Sequence, residues 1–169
     1  MSERVLLKPG SLADEQEFLS AVARSRKLHG SWVQAPVTPR AFRDHLGRQE
    51  GQRSAVFFVW LQEPRALVGV VNLSEIVRGG FQSAYLGYYA FEPFAGRGFM
   101  HEGLSKVITH AFRKMNLHRL EANIQPGNIR SKMLVKKLGF RREGFSTRYL
   151  KIKGRWRDHE RWTMLSEEW

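Results

Sequence analysis

Between Ser54 and Phe91 the chain carries three runs of apolar, β-branched and aromatic residues: "SAVFFVWL", "ALVGVVNLSEIV" and "SAYLGYYAF". Only "QEPR" and "RGGFQ" separate them. Runs of this composition bounded by Gly- and Pro-bearing turns read as strands, and such short joints read as an antiparallel meander. The meander runs straight into "EPFAGRGFMHEGLSKV", Glu92 to Val107, where small residues give way to a helical pattern. From Met100 the apolar positions are Met100, Leu104, Val107, Ile108, Ala111, Phe112 and Met115. They fall on one face of a 3.6-residue repeat. Strands, a glycine turn and a long amphipathic helix predict an α/β domain.

The flanking segments extend that reading. "RVLLK" is a short strand. Ser11, with Asp14 three residues on, resembles a capping box for a helix through Leu28, with Leu12, Leu19, Val22 and Ala23 as its apolar stripe. Thr38 and Pro39 suit the start of a second helix. "HRLEANI" is a further strand. Asn128 after the "QPGN" turn is a plausible N-cap for "IRSKMLVKKL", and Gly139 is placed to end that helix. "FRREGFSTRYLKI" and "RWRDHERWTML" form a closing hairpin about Lys153-Gly154. The expected fold is a central mixed, mostly antiparallel sheet of about seven strands flanked by about four helices. Residues 1–169 are expected to be a single domain.

Composition removes several chemistries. There is no cysteine, so disulfides, thiolate metal sites and a cysteine nucleophile are excluded. His101, His110 and His118 do not make a ligand set, and no metal is expected. No apolar run reaches membrane-spanning length and the N-terminus lacks a signal-peptide pattern, so a cytoplasmic protein without a membrane partner is expected. The formal net charge of +12 favours anionic partners and disfavours polycations.

The glycine turn bears on function. A helix start offers about four unpaired N–H groups and roughly half a positive charge. Gly96 and Gly98 would let the backbone approach a phosphate closely, with Arg97 between them. No Gly-Lys-Ser/Thr follows, so this is not a Walker A loop. Nor does it carry the three glycines of a dinucleotide fingerprint. A plain tight turn and a pyrophosphate cradle both remain open on these residues alone.

Three segments in order carry a resemblance: "AGRGFMHEGL", "HRLEANIQPGNIRSKMLVKKLGF" and "EGFSTRYLKIKGRWRDH". Together they resemble the GNAT N-acetyltransferases, and within them the ribosomal-protein alanine N-acetyltransferase branch. Ala95 and Met100 depart from the wider family's preferences at the ends of the turn. The resemblance implies acetyl-coenzyme A as co-substrate, with the backbone of Gly96, Arg97, Gly98, Phe99, Met100 and His101 around its pyrophosphate. It implies that the strand before the turn splays from its neighbour and pairs with pantetheine through Tyr89, Ala90 and Phe91, with Asn128 assisting. It implies Ser131 as the proton donor to the leaving sulfur. Glu121, opposite in facing to Leu120 and Ala122, is a candidate base, and Glu75 is a second candidate near the acceptor. Trp32, Tyr149 and Trp156 are candidates for lining the acceptor groove.

The acceptor that follows is an amine, foremost the N-terminal α-amine of a protein, with a ribosomal protein and proximity to the ribosome suggested by branch and charge. A small-molecule amine is the alternative within the family. A basic nucleic-acid-binding module is the alternative outside it, although no RNA-binding motif appears. Monomer and homodimer are both open.

Overall fold

The computed structural model describes residues 3–169, apart from the side chain of Glu50. Seven strands form one sheet: β1 (Val5–Pro9), β2 (Ala55–Leu61), β3 (Ala66–Val77), β4 (Ser83–Ala90), β5 (Arg119–Ile124), β6 (Arg141–Ile152) and β7 (Arg155–Leu165). Their spatial order is β1-β2-β3-β4-β5-β7-β6. Every neighbouring pair is antiparallel except β4 and β5, which are parallel. The helices are α1 (Glu15–Arg24), α2 (Arg26–His29), α3 (Pro39–Gly47), α4 (Phe99–Arg113) and α5 (Ile129–Lys137).

Side-chain alternation divides the core between the two sheet faces. Along β2, Val56, Phe58 and Trp60 face one way, with Phe18, Ala21 and Val22 of α1 and Phe42 and Leu46 of α3. Phe57 and Val59 face the other way, with Leu104, Val107, Ile108 and Ala111 of α4 and Val135 of α5. Gly103 makes that second contact close: a Cβ there would come within 2.7 Å of the Val59 methyls.

Several expected boundaries hold for the expected reasons. Thr38 Oγ1 accepts from Ala41 N–H at 3.2 Å at the start of α3, with Pro39 in its first turn. Asn128 Oδ1 accepts from Ser131 N–H at 3.3 Å. Gly139 takes the left-handed conformation, φ +92°, just beyond α5. Lys153 and Gly154, at φ +48° and +79°, form the tip of the last hairpin.

The first helix differs from expectation. Ser11 caps a short 3₁₀ turn, Leu12–Asp14, through Ala13 N–H, and no capping box with Asp14 forms. The chain then breaks at Ser25, whose buried hydroxyl accepts from Glu92 N–H at 2.9 Å. The buried face of α1 is Phe18, Ala21 and Val22, while Leu12 is 58% exposed. Phe18 sets this phase because its ring lies 4.7 Å from Phe42 and 5.7 Å from Phe58, between centroids.

Candidate active site

The parallel β4–β5 ladder is three pairs long: Ser83, Ala84 and Tyr85 against Arg119, Leu120 and Glu121. Beyond it β4 stays with β3 as far as Ala90, and β5 stays with β7 as far as Ile124. The two strands part, and a cleft of about 210 Å³ lies between them. Its walls are Leu86 to Tyr89 of β4, Asn123 to Gln125, Asn128 and Ser131, Asn72 of β3, His159 of β7, and the loop residues Trp32 to Gln34.

Strand parity decides which backbone groups face the cleft. Phe91 N–H donates to Val68 O at 2.9 Å. In an antiparallel ladder the hydrogen-bonded pairs alternate, so Tyr89 also faces β3, and the amides and carbonyls of Tyr88 and Ala90 face the cleft. His29 closes one of these groups, with Nε2 2.8 Å from Ala90 O. The carbonyl only accepts, so the neutral ring donates from Nε2. Burial lowers the His29 pKa, against the opposing pull of this bond.

At the far end of β4 the chain enters the glycine turn. Gly96 and Gly98 lie at φ +77° and +82°, where a side chain is strained. Gly98 caps α4 without a side chain, and Glu102 N–H is the first to close onto the helix, reaching Gly98 O at 3.2 Å. The N–H groups of Phe99, Met100 and His101 are left as the free donors of the helix start. A Cβ at Gly96 would meet nothing within 4 Å, so the turn is open to close approach. The guanidinium groups of Arg4 and Arg97 stand 4.8 and 5.4 Å from the Phe99 ring centroid. The Glu102 carboxylate faces β1 instead, accepting from Arg4 N–H at 2.7 Å and Val5 N–H at 2.9 Å. Burial alone would raise its pKa, but these donors hold it below its ordinary value. Free amides, a helix dipole and Arg97 make this a fit for a phosphate group, while the Arg4 guanidinium is paired with Glu102 at 3.1 Å.

Inside the cleft the polar groups are neutral. Ser131 Oγ lies 2.7 Å from the Tyr88 hydroxyl. Asn128 spends its Oδ1 on the cap of α5. The Tyr89 hydroxyl and Asn123 Oδ1 are buried without a partner among the described residues. Buried polar atoms are rarely left so in a finished site, and two in one cleft mark a place for a polar ligand.

Residues 4–141 match the family described as "Acetyltransferase (GNAT) domain". The chain belongs to the GNAT acetyltransferase family. A GNAT relative, the [Ribosomal protein uS5]-alanine N-acetyltransferase of Escherichia coli, is 38% identical over 120 residues, which are 70% of this chain. The match spans 62% of that relative's length. The ribosomal-protein-S5-alanine acetyltransferase of Vibrio fischeri superposes with a TM-score of 0.87 at 25% identity, covering 100% of this chain and 97% of the other. The RimJ protein of Mycobacterium smegmatis, solved with a CoA-disulfide, gives 0.88 at 26% identity, covering 97% and 83%.

Among the expected GNAT site residues, Asn128, Ser131, Trp32 and Tyr89 line the cleft. Phe91, Glu121, Glu75, Tyr149 and Trp156 stand outside the cleft wall. Phe91 is a fully buried core residue whose N–H belongs to the β3 ladder, and Tyr89 faces β3 with its backbone. Tyr88 lines the cleft beside Tyr89. Glu121 lies outside the cleft wall and is paired with Arg119 at 2.9 Å, two residues away on the same face of β5. Glu75 sits at φ +47° in a bulge of β3, exposed and paired with Arg53 at 3.0 Å. Tyr149 is absent from the cleft wall, its ring 6.3 Å from His159, and Trp156 is 61% exposed at the hairpin tip. Tyr88 and His159 also line the cleft: no local signal fixes the parity of the pair Tyr88-Tyr89, and His159 lies in the charged turn Trp156-Arg157-Asp158-His159, of which it alone lines the wall. Among the described residues no cluster of His, Asp and Glu is placed to hold a metal, and no helix is long and apolar enough to cross a membrane.

Proposed function

We propose that this chain transfers an acetyl group from acetyl-coenzyme A to the N-terminal α-amine of a protein, of the kind that begins a ribosomal protein. One observation carries the reading: the cleft between the parted strands leads to a helix start with free amides. An extended thiol arm ending in a pyrophosphate matches that shape. The N–H groups of Phe99, Met100 and His101 would hold the pyrophosphate, with Arg97 beside it. The cleft-facing backbone of Tyr88 and Ala90, with the amide of Asn128, would hold the pantetheine. When bound, the co-substrate supplies an activated thioester.

The chain's own groups supply the rest. Backbone N–H donors of the parted strand are fixed before reaction and suit developing negative charge on oxygen. The Tyr88–Ser131 hydroxyl pair holds a proton where the sulfur would leave. Among the described residues no carboxylate lines the cleft, so a polyamine finds no counter-charge there. The names of the relatives support the protein N-terminus as acceptor. The +12 charge supports docking beside ribosomal RNA in the cytoplasm, an attachment that weakens steeply with salt.

Calorimetric titration with acetyl-coenzyme A, for wild type and Gly98→Trp, tests the first half. Binding with a Kd on the order of micromolar, lost in a variant with unchanged circular dichroism, is the expected outcome. An acceptor panel of alanine-initiated peptides, amino sugars and polyamines tests the second half. Turnover restricted to a small-molecule amine overturns the protein acceptor.

A further inference from the structure

Acetyl transfer to an ammonium needs a base, and both carboxylates in candidate positions are engaged elsewhere, Glu121 with Arg119 and Glu75 with Arg53. The titratable side chains in the cleft wall are Tyr88, Tyr89 and His159. Burial raises the pKa of both tyrosines far above the ordinary phenol, so they keep their protons. His159 is different. It is 3% exposed, on β7, and shares the cleft wall with Asn128 and Ser131 at the start of α5. Its Nδ1 lies 2.9 Å from Arg157 O, an atom that only accepts, so the proton sits on Nδ1 and the lone pair on Nε2. Nε2 has no hydrogen-bond partner among the described residues, and it is absent from the buried unpaired atoms, so it reaches the cleft.

We infer that His159 Nε2 is the general base of this chain, taking the proton from the acceptor ammonium at the cleft. The inference rests on the acetyl-transfer reading. The balance is complete without a further reactant. The nitrogen of the acceptor loses two protons in becoming an amide. The first goes to Nε2 and then to water. The nitrogen lone pair forms the new bond to the acetyl carbon, the carbon–sulfur bond breaks, and its electron pair leaves on sulfur. The sulfur gains a proton from the Tyr88–Ser131 pair, which is restored by the second proton of the nitrogen.

The electrostatic setting agrees with the role. Burial lowers the His159 pKa, opposed by its bond to Arg157 O and by the Asp158 carboxylate next to it. Asp158 accepts from Arg148 N–H at 2.7 Å. From β6, Tyr149 is neutral, its hydroxyl pushed up to about 12 by Tyr85 and by burial. On the side of α5, Lys132 and Glu160 compensate each other at 3.3 Å. The ring is therefore neutral near pH 7, the state a base needs.

The test is the pH dependence of kcat for wild type and His159→Gln, with alanine-initiated peptides whose terminal amines differ in basicity. Wild type is expected to lose kcat as pH falls through the imidazole pKa, at the same pH for every peptide. His159→Gln is expected to lose about 100-fold in kcat and the acid limb with it, with unchanged calorimetric affinity for acetyl-coenzyme A. A purely structural histidine leaves the limb in place, and that result overturns the assignment. Should the variant misfold, the ring of His159 in the wild type is followed by NMR, and a titration that does not coincide with the acid limb overturns it equally. Wild type that binds the co-substrate but acetylates no amine overturns the transferase reading itself. Transfer with an unmoved limb overturns only the base.

Discussion

The hydroxyl of Tyr88 stands 2.7 Å from Ser131 Oγ and also donates to the Ser131 carbonyl at 3.3 Å, joining β4 to α5 across the cleft. One hydroxyl thus positions the other, and the two act as a unit. Tyr88→Phe and Ser131→Ala are each expected to lower kcat by about 10- to 100-fold. The double variant is expected to be little worse than either single one, because residues of one network are not additive. Steady-state rates of the four proteins check this, and multiplying losses would show independent roles.

Gly69 couples the sheet to the glycine turn. A Cβ there would collide with Met100 Sδ and come within 2.8 Å of the Tyr89 carbonyl oxygen. The thioether can swing aside, but the backbone of β4 cannot. Gly69→Ala is expected to cost about 1–3 kcal/mol in urea denaturation. It is also expected to weaken binding of acetyl-coenzyme A, since Met100 lies in the first turn of α4. Stability lost with affinity intact would show that the turn is insulated from β3.

The phase of α1 is testable by contrast. Phe18 is fully buried among Phe42, Phe58 and Phe91, and Phe18→Ala is expected to cost about 3–5 kcal/mol. Leu12→Ala, at an exposed position, is expected to stay within about 0.5 kcal/mol of wild type. Thermal or urea unfolding of the pair decides it.

Two buried histidines, His29 and His159, and the half-buried His45 predict how stability responds to pH. His29, His45 and His159 all have pKa values lowered by burial from the ordinary 6.5. In the folded state they resist protonation, so below about pH 6.5 the unfolded chain binds more protons. Stability is therefore full above that pH, and it falls as the pH drops toward the folded values. It levels once the folded histidines also charge. Urea midpoints from pH 7 to about 5 are expected to decline, and less so in His45→Gln, which removes one of the three.

Much of this architecture is legible in the residues themselves. Short turns fix the meander, and Thr38, Asn128, Gly139 and the Lys153-Gly154 pair mark their boundaries because each satisfies a local backbone demand. The failures share a cause: they needed information from across the fold. Phe18 dominates α1 only because three other rings meet it. The parity of Tyr88 and Tyr89 is set by the register with β3, which no window of β4 contains. Glu121 reads as a free carboxylate until Arg119 is placed beside it. That pairing is visible in principle, since residues two apart share a strand face. His159 sits in "RWRDHER", where flanking charge suggests a solvated turn, and only its register on β7, opposite Ser146 of β6, turns it inward.

The shortness of the β4–β5 ladder has a mechanical consequence. With three pairs between them, the β1–β4 and β5–β7–β6 parts of the sheet are joined at their centre by a narrow seam. A ligand lying along the parted strands would bridge both sides and act as a rivet. Occupancy then enters the unfolding equilibrium as RT ln(1 + [L]/Kd), and the stability of the protein becomes a gauge of the co-substrate concentration around it.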